Sequence, residues 1–144
     1  MKVPYLDFTA MNAPIREDIL GSFQKIFDSN CFILGPHVRQ FEADFASFCQ
    51  TKHCIGVASG LDALQLGLRA LDVGKGDEII VPSNTYIATV IAADLVSAKA
   101  VFVEPNPESY NIDPAKIEAA ITPNTKVIMP VHLYGQICEM DAIM

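Results

Sequence analysis

Between the short apolar run Val57-Ala58 and the helical repeat of Leu61, Leu64, Leu68 and Leu71 lies a Ser59-Gly60 turn, a junction suited to binding an anion. Glycine lets a backbone come close to a ligand. The first N–H groups of a helix have no partner inside it and point outward, with the positive end of the helix dipole behind them. A phosphate fits such a place. Downstream, Pro82-Ser83-Asn84-Thr85-Tyr86-Ile87-Ala88-Thr89 follows the next apolar run and carries an aromatic ring and several hydroxyls past the end of a strand. A phosphate socket joined to an aromatic face points to pyridoxal phosphate, which has a dianionic tail and a flat ring to be held. Ser59, Thr85 and Thr89 read equally as donors to that phosphate or ring and as turn or cap residues. The Asp62 carboxylate favours a helix start but repels a phosphate, so it is expected to turn aside. His132 and Tyr134, after a later strand, are secondary lining groups or structural residues.

The bulk composition narrows the class. With 144 residues, 51% of them hydrophobic, the chain has the size and apolar content of one ordinary domain with a real core. A net charge of -7 with no Lys/Arg cluster argues against nucleic acid or an anionic membrane surface as partner. The opening Met1-Lys2-Val3-Pro4 lacks the apolar run of a signal peptide, which predicts a cytoplasmic protein. The longest apolar tract, residues 87–103, is broken by Asp94, Ser97 and Lys99 and reads as a buried helix followed by a strand, not as a membrane span. Cys31, Cys49, Cys54 and Cys138 form no Cys-x-x-Cys pair and are expected to be buried free thiols. His53 and Cys54, adjacent on an extended strand, face opposite ways and do not readily share a zinc ion, so no metal is expected.

These residues must be positioned by regular elements. Ile15, Ile19, Phe23, Ile26 and Phe27 recur at helical spacing behind Pro14, and Val38, Phe41, Phe45 and Phe48 do the same after Gly35-Pro36. The phenylalanine stripe is assigned to core packing. Apolar runs at 54–58, 78–82, 100–103 and 126–131 alternate with helical stretches, one of them opened by the cap pair Asp113-Pro114 ahead of Ile117 and Ile121. Continuous apolar strands are buried on both faces, so the expected fold is α/β: a three-layer sandwich with a mainly parallel sheet and ligands at the carboxyl ends of its strands. The stretch Pro130-Val131-His132-Leu133-Tyr134-Gly135-Gln136 leaves the last strand, and Asp141 is expected to cap a helix cut short at Met144. On that basis the chain is read as the amino-terminal part of something longer.

Taken in order, Pro4-Tyr5-Leu6-Asp7, Phe32-Ile33-Leu34-Gly35-Pro36, residues 57–64, Gly76-Asp77-Glu78-Ile79-Ile80-Val81-Pro82, residues 84–89 and residues 130–135 resemble the DegT/DnrJ/EryC1/StrS family of sugar aminotransferases. The resemblance implies the large-domain portion, truncated, of the type I pyridoxal-phosphate (aspartate aminotransferase-like) fold. It divides the chain into an amino-terminal helical segment with a substrate-side loop, 1–35, and an incomplete cofactor-binding domain, 36–144. By the same resemblance Gly60 and Leu61 give N–H groups to the cofactor phosphate and Tyr86 lays its ring on the pyridine. Tyr5 and Phe32, Ile33, Leu34 and Gly35 fall in the nucleotide-sugar contact region.

The implied activity is transfer of an amino group from an amino acid, glutamate by resemblance, to a nucleotide-linked keto-deoxy sugar, in amino-sugar, polysaccharide or lipopolysaccharide biosynthesis. The resemblance leans toward 3-amino-3,6-dideoxy sugars and implies a homodimer. Such chemistry needs a lysine that forms an imine with the cofactor and a carboxylate facing the pyridinium nitrogen. Neither is identifiable here: Lys2, Lys25, Lys52, Lys75, Lys99, Lys116 and Lys126 do not stand in the family's lysine motif. No catalytic residue is assigned, and the stretch is expected to be inactive alone. The alternatives are a sugar dehydratase of the same fold and a catalytically silent nucleotide-sugar binder. A dinucleotide-binding turn is disfavoured because residues 58–63 lack the three-glycine pattern.

Overall fold

The computed structural model describes residues 3–144, so Met1 and Lys2, part of the opening on which the leader reading rests, lie outside the described residues. The chain divides into two compact units between Gly56 and Val57. In the first, α1 (Thr9–Asn12) starts where Asp7 Oδ1 accepts from Thr9 N at 2.8 Å, and a 3-10 turn over Ala13–Ile15 takes Pro14 early, where no helical N–H is lost. Helix α2 (Arg16–Ser29) ends at Asn30 in the left-handed region, and α3 (Pro36–Phe48) starts with proline in its first turn. Both helices expected from apolar spacing are therefore present.

Among the described residues their aromatic faces are exposed and not packed as core. Phe41, Phe45 and Phe48 are exposed, and their rings pack on one another, with centroids 5.5 and 6.2 Å apart in successive pairs. Helical periodicity marks a face that favours burial. It does not supply the surface that buries it, and the first unit by itself leaves this stripe exposed.

The second unit is built on three parallel strands in the order β2-β1-β3: β1 (Glu78–Pro82), β2 (Lys99–Val103) and β3 (Thr125–Ile128). Helix α4 (Gly60–Ala70) precedes β1, α5 (Ile87–Leu95) carries the chain from β1 to β2, and α6 (Pro114–Ala120) from β2 to β3. A short α7 (Met140–Ile143) follows. Side chains alternate across a strand, so Ile79 and Val81 face Leu68, Val73, Ala92, Ala93 and Val96, while Ile80 faces Val103, Ile112, Ile117 and Cys138. Every residue of β1 is buried, because helices cover both faces of the central strand. The three layers and the parallel sheet are those the sequence predicts.

Four details differ. The run 54–58 is not a strand: its backbone enters no ladder, and its one bond to another segment is from Gly56 N to Glu42 Oε1 at 2.8 Å. A strand exists only where a second one pairs with it, and no strand among the described residues pairs with this run. The third strand stops at Ile128 rather than 131. Of the cysteines only Cys138 is buried; Cys31 and Cys49 are exposed and Cys54 is half-buried, since the thiols outside the sheet lack a covering layer. Glu139 rather than Asp141 stands at the N-cap of α7, with no side-chain cap bond, and Asp141 falls inside the first turn. The Asp113 cap is as expected, its Oδ1 accepting from Ala115 N at 3.1 Å.

The ends of the sheet differ in chemistry. At the amino end, buried Glu78 accepts from Lys99 Nζ at 2.8 Å and from the Thr122 hydroxyl at 2.6 Å. Lys99 first, then Thr122, holds its carboxyl below the usual carboxylate range against the opposing effect of burial. That end is closed by an ion pair. The carboxyl end opens into the loops 83–86, 104–113 and 129–139. No helix among the described residues is long and apolar enough to cross a membrane.

Candidate functional site

Helix α4 begins with a reciprocal cap. Ser59 Oγ accepts from Asp62 N at 3.2 Å and donates to Asp62 Oδ2 at 2.8 Å, which ties the carboxylate back over the helix start. Asp62 is thereby turned aside, as its charge led us to expect. The N–H groups of Gly60 and Leu61 keep no acceptor among the described residues. Gly60 is not at positive φ, and a Cβ built on it meets nothing within 4 Å. Nothing inside the fold requires glycine there; the space beside it is open.

Helix α5 begins at Tyr86, its N-cap, in the loop leaving β1. The phenol makes no side-chain cap bond and the residue is 76% exposed. Ile87 and Ala88 likewise present N–H groups without an acceptor among the described residues, while Thr89 N donates to Tyr86 O at 3.0 Å. The Thr85 and Thr89 hydroxyls bond each other at 2.8 Å.

Both helix starts open into one cleft of about 740 Å³, walled by Ser59, Gly60, Leu61 and Leu64 from α4 and by Tyr86, Ile87, Ala88, Thr89 and Ile91 from α5. Five of the six residues expected at a cofactor, Ser59, Gly60, Leu61, Tyr86 and Thr89, thus line one wall system. Thr85 stands behind it, bonded to Thr89. The lining carries no charged side chain, so attraction for an anion comes from the free amides and dipoles of two helix starts. Among the described residues no lysine lines the cleft.

The expected substrate-side residues belong to the first unit. Tyr5 is fully exposed, Phe32, Ile33 and Leu34 are exposed, and Leu34 adopts φ 50° with its carbonyl accepting from Arg39 Nη1 at 3.2 Å. Gly35 is buried, and here a side chain is crowded: a Cβ would sit 2.8 Å from Cys31 Sγ and 3.1 Å from its carbonyl oxygen, so Cys31 would have to shift. His132 accepts from Cys138 N on Nδ1 at 3.0 Å, while Cys138 donates its thiol proton to Val131 O at 3.2 Å. Burial pushes that thiol's pKa up, which keeps it protonated and a structural donor. Sequence reasoning missed Asn84 and Asn111, whose amides join the loops at the carboxyl end of the sheet. No local signal marks them, because their partners lie 22 to 26 residues away.

Comparison with known proteins adds to this geometry. The sequence pattern of the DegT/DnrJ/EryC1/StrS aminotransferase family matches residues 13–144. The chain is 52% identical over 141 residues to a dTDP-3-amino-3,6-dideoxy-alpha-D-galactopyranose transaminase of Aneurinibacillus thermoaerophilus, an alignment covering 98% of this chain and 39% of that protein. Its fold superposes on Streptomyces venezuelae DesV, solved in complex with a ketimine intermediate, with a TM-score of 0.93 and 46% identity over 99% of this chain and 38% of that one. Bacillus subtilis NtdA with bound cofactor PMP gives a TM-score of 0.92 at 39% identity, over 99% of this chain and 33% of that one. The chain spans about two fifths of the length of such curated relatives, 39% in the first case.

Proposed function

This chain belongs to the DegT/DnrJ/EryC1/StrS aminotransferase family, and on that premise we propose that it forms the part of a sugar aminotransferase that holds pyridoxal 5′-phosphate. The observation that carries the reading is the single cleft into which the free amides of Gly60 and Leu61 and the ring of Tyr86 both open. Gly60 and Leu61 donate to the phosphate, joined by the α5 amides of Ile87 and Ala88. Tyr86 covers one face of the pyridine ring. Ser59 and the Thr85–Thr89 pair complete the polar rim, with Thr89 the hydroxyl that reaches the cleft. The cofactor supplies an electron sink for the carbon that carries the amino group. The residues of this stretch bind and orient it, and we assign none of its lysines to the imine role.

For the whole protein we propose transfer of an amino group from an amino acid, glutamate by family resemblance, to a nucleotide-linked keto-deoxy sugar. The activity of the Aneurinibacillus relative favours a thymidine diphosphate sugar aminated at carbon 3. Tyr5 and the loop Phe32, Ile33, Leu34 and Gly35 serve the sugar side, and the working form is a cytoplasmic homodimer. The test is optical. The whole protein mixed with pyridoxal phosphate develops an absorbance near the visible edge that disappears on adding glutamate; an unchanging spectrum refutes the assignment.

A further inference from the structure

Tyr134 stands in the left-handed backbone region at φ 56° and ψ 28°, and Gly135 follows at φ 76°. Gln136 N donates to Leu133 O at 3.0 Å, closing a tight turn whose two central residues both have positive φ. Such a turn ordinarily takes Asn-Gly or Asp-Gly. Tyrosine in its first central place carries a Cβ clash that glycine avoids and asparagine tolerates. The turn is braced from outside by buried Asn111, only 3% exposed, whose Oδ1 accepts from Leu133 N at 3.0 Å and whose Nδ2 donates to Gln136 O at 3.2 Å. Both bonds go to backbone, so the brace does not need a tyrosine between them.

Packing within the described residues does not need it either. Tyr134 is 75% exposed, and its one aromatic neighbour among the described residues is Tyr110, set edge-on at 6.2 Å between centroids. Tyr110, itself at φ 59°, accepts on its carbonyl from Asn84 Nδ2 at 2.9 Å, two residues before Tyr86. The loops after β1, β2 and β3 are thus tied together. Tyr134 stands with the Tyr86 turn on the carboxyl side of the sheet, where ligands gather in such folds. An exposed ring kept in a strained conformation that its own packing does not explain is a mark of a functional residue.

We propose that Tyr134 is a binding contact for the nucleotide-linked acceptor, its ring face taking a flat apolar surface, either the pyranose C–H face or the pyrimidine base, with Asn111 as its positioning residue. The inference rests on the sugar-aminotransferase reading above.

The decisive variant is Tyr134→Asn in the whole protein, which creates the preferred Asn-Gly turn. Affinities for thymidine diphosphate-glucose and for thymidine diphosphate are read by calorimetry beside the thermal midpoint. We expect the midpoint to rise while affinity for the glucose conjugate falls about tenfold, the size of one lost stacking contact. Tyr134→Phe, which keeps the ring, holds affinity within about threefold of the parent. Equal weakening of both probes assigns the contact to the base, and weakening of the glucose conjugate alone assigns it to the pyranose. Unchanged affinity in Tyr134→Asn, or a midpoint that does not rise, overturns the proposal. So does failure of the parent protein to bind either probe, whereas the glutamate-dependent absorbance judges the aminotransferase reading separately.

Discussion

Replacing Tyr86 by alanine separates a cofactor platform from an ordinary surface aromatic. The residue is 76% exposed and makes no cap bond, so its loss changes the stability of the cofactor-free protein by less than about 0.5 kcal/mol. One ring face on a pyridine covers about 60 Å², roughly a third of what a large aromatic can bury. At about 25 cal/mol per Å² that area is worth about 1.5 kcal/mol. Ring-on-ring geometry contributes about 0.5–1.5 kcal/mol more, for a total of about 2–3 kcal/mol. The dissociation constant for pyridoxamine phosphate, a probe that needs no lysine, then rises about 30- to 150-fold. At saturating probe the same difference appears as about 2–3 kcal/mol less stabilisation in urea unfolding. The reasoning is refuted if Tyr86→Ala leaves the affinity for pyridoxamine phosphate unchanged, and doubly so if it destabilises the cofactor-free protein by more than about 1 kcal/mol.

Ile80 is fully buried on the α6 side of the central strand, so Ile80→Ala costs about 2–5 kcal/mol in denaturant unfolding, and a loss below about 1 kcal/mol contradicts a packed second face. Lys99 and Thr122 lower the Glu78 pKa below its ordinary 4.5, so its contribution to stability is complete above that value and is lost as pH falls through the lower folded-state value. Glu78→Gln therefore flattens the acid limb of the unfolding midpoint measured from about pH 5 down to about pH 3, and an unaltered slope argues against the ion pair. Gly35→Ala drives a Cβ to 2.8 Å from Cys31 Sγ and lowers stability by about 1–3 kcal/mol, part of which Cys31→Ala restores in the double variant by emptying that space. A double variant no more stable than Gly35→Ala places the obstruction at the Cys31 carbonyl instead.

Several features that depend on neighbours in the chain are legible in the residues, though the α7 cap, expected at Asp141 and found at Glu139, is not. The apolar run of β1 marks a strand buried on both faces, Asp113-Pro114 marks a helix start, and the Ser59-Gly60 turn marks free amides, because each rests on geometry within a few residues. Pairing and covering are different in kind. The run 54–58 has the composition of a strand but no neighbour to form a ladder with, and the Phe41, Phe45 and Phe48 stripe has helical spacing but no surface over it. Only the folded arrangement brings α4 and α5 to a common cleft and lets Asn111 clasp a turn more than twenty residues away. Local propensity and periodicity are carried by adjacent residues, whereas a cleft, a brace or a strained exposed ring is fixed by contacts between residues the sequence keeps far apart.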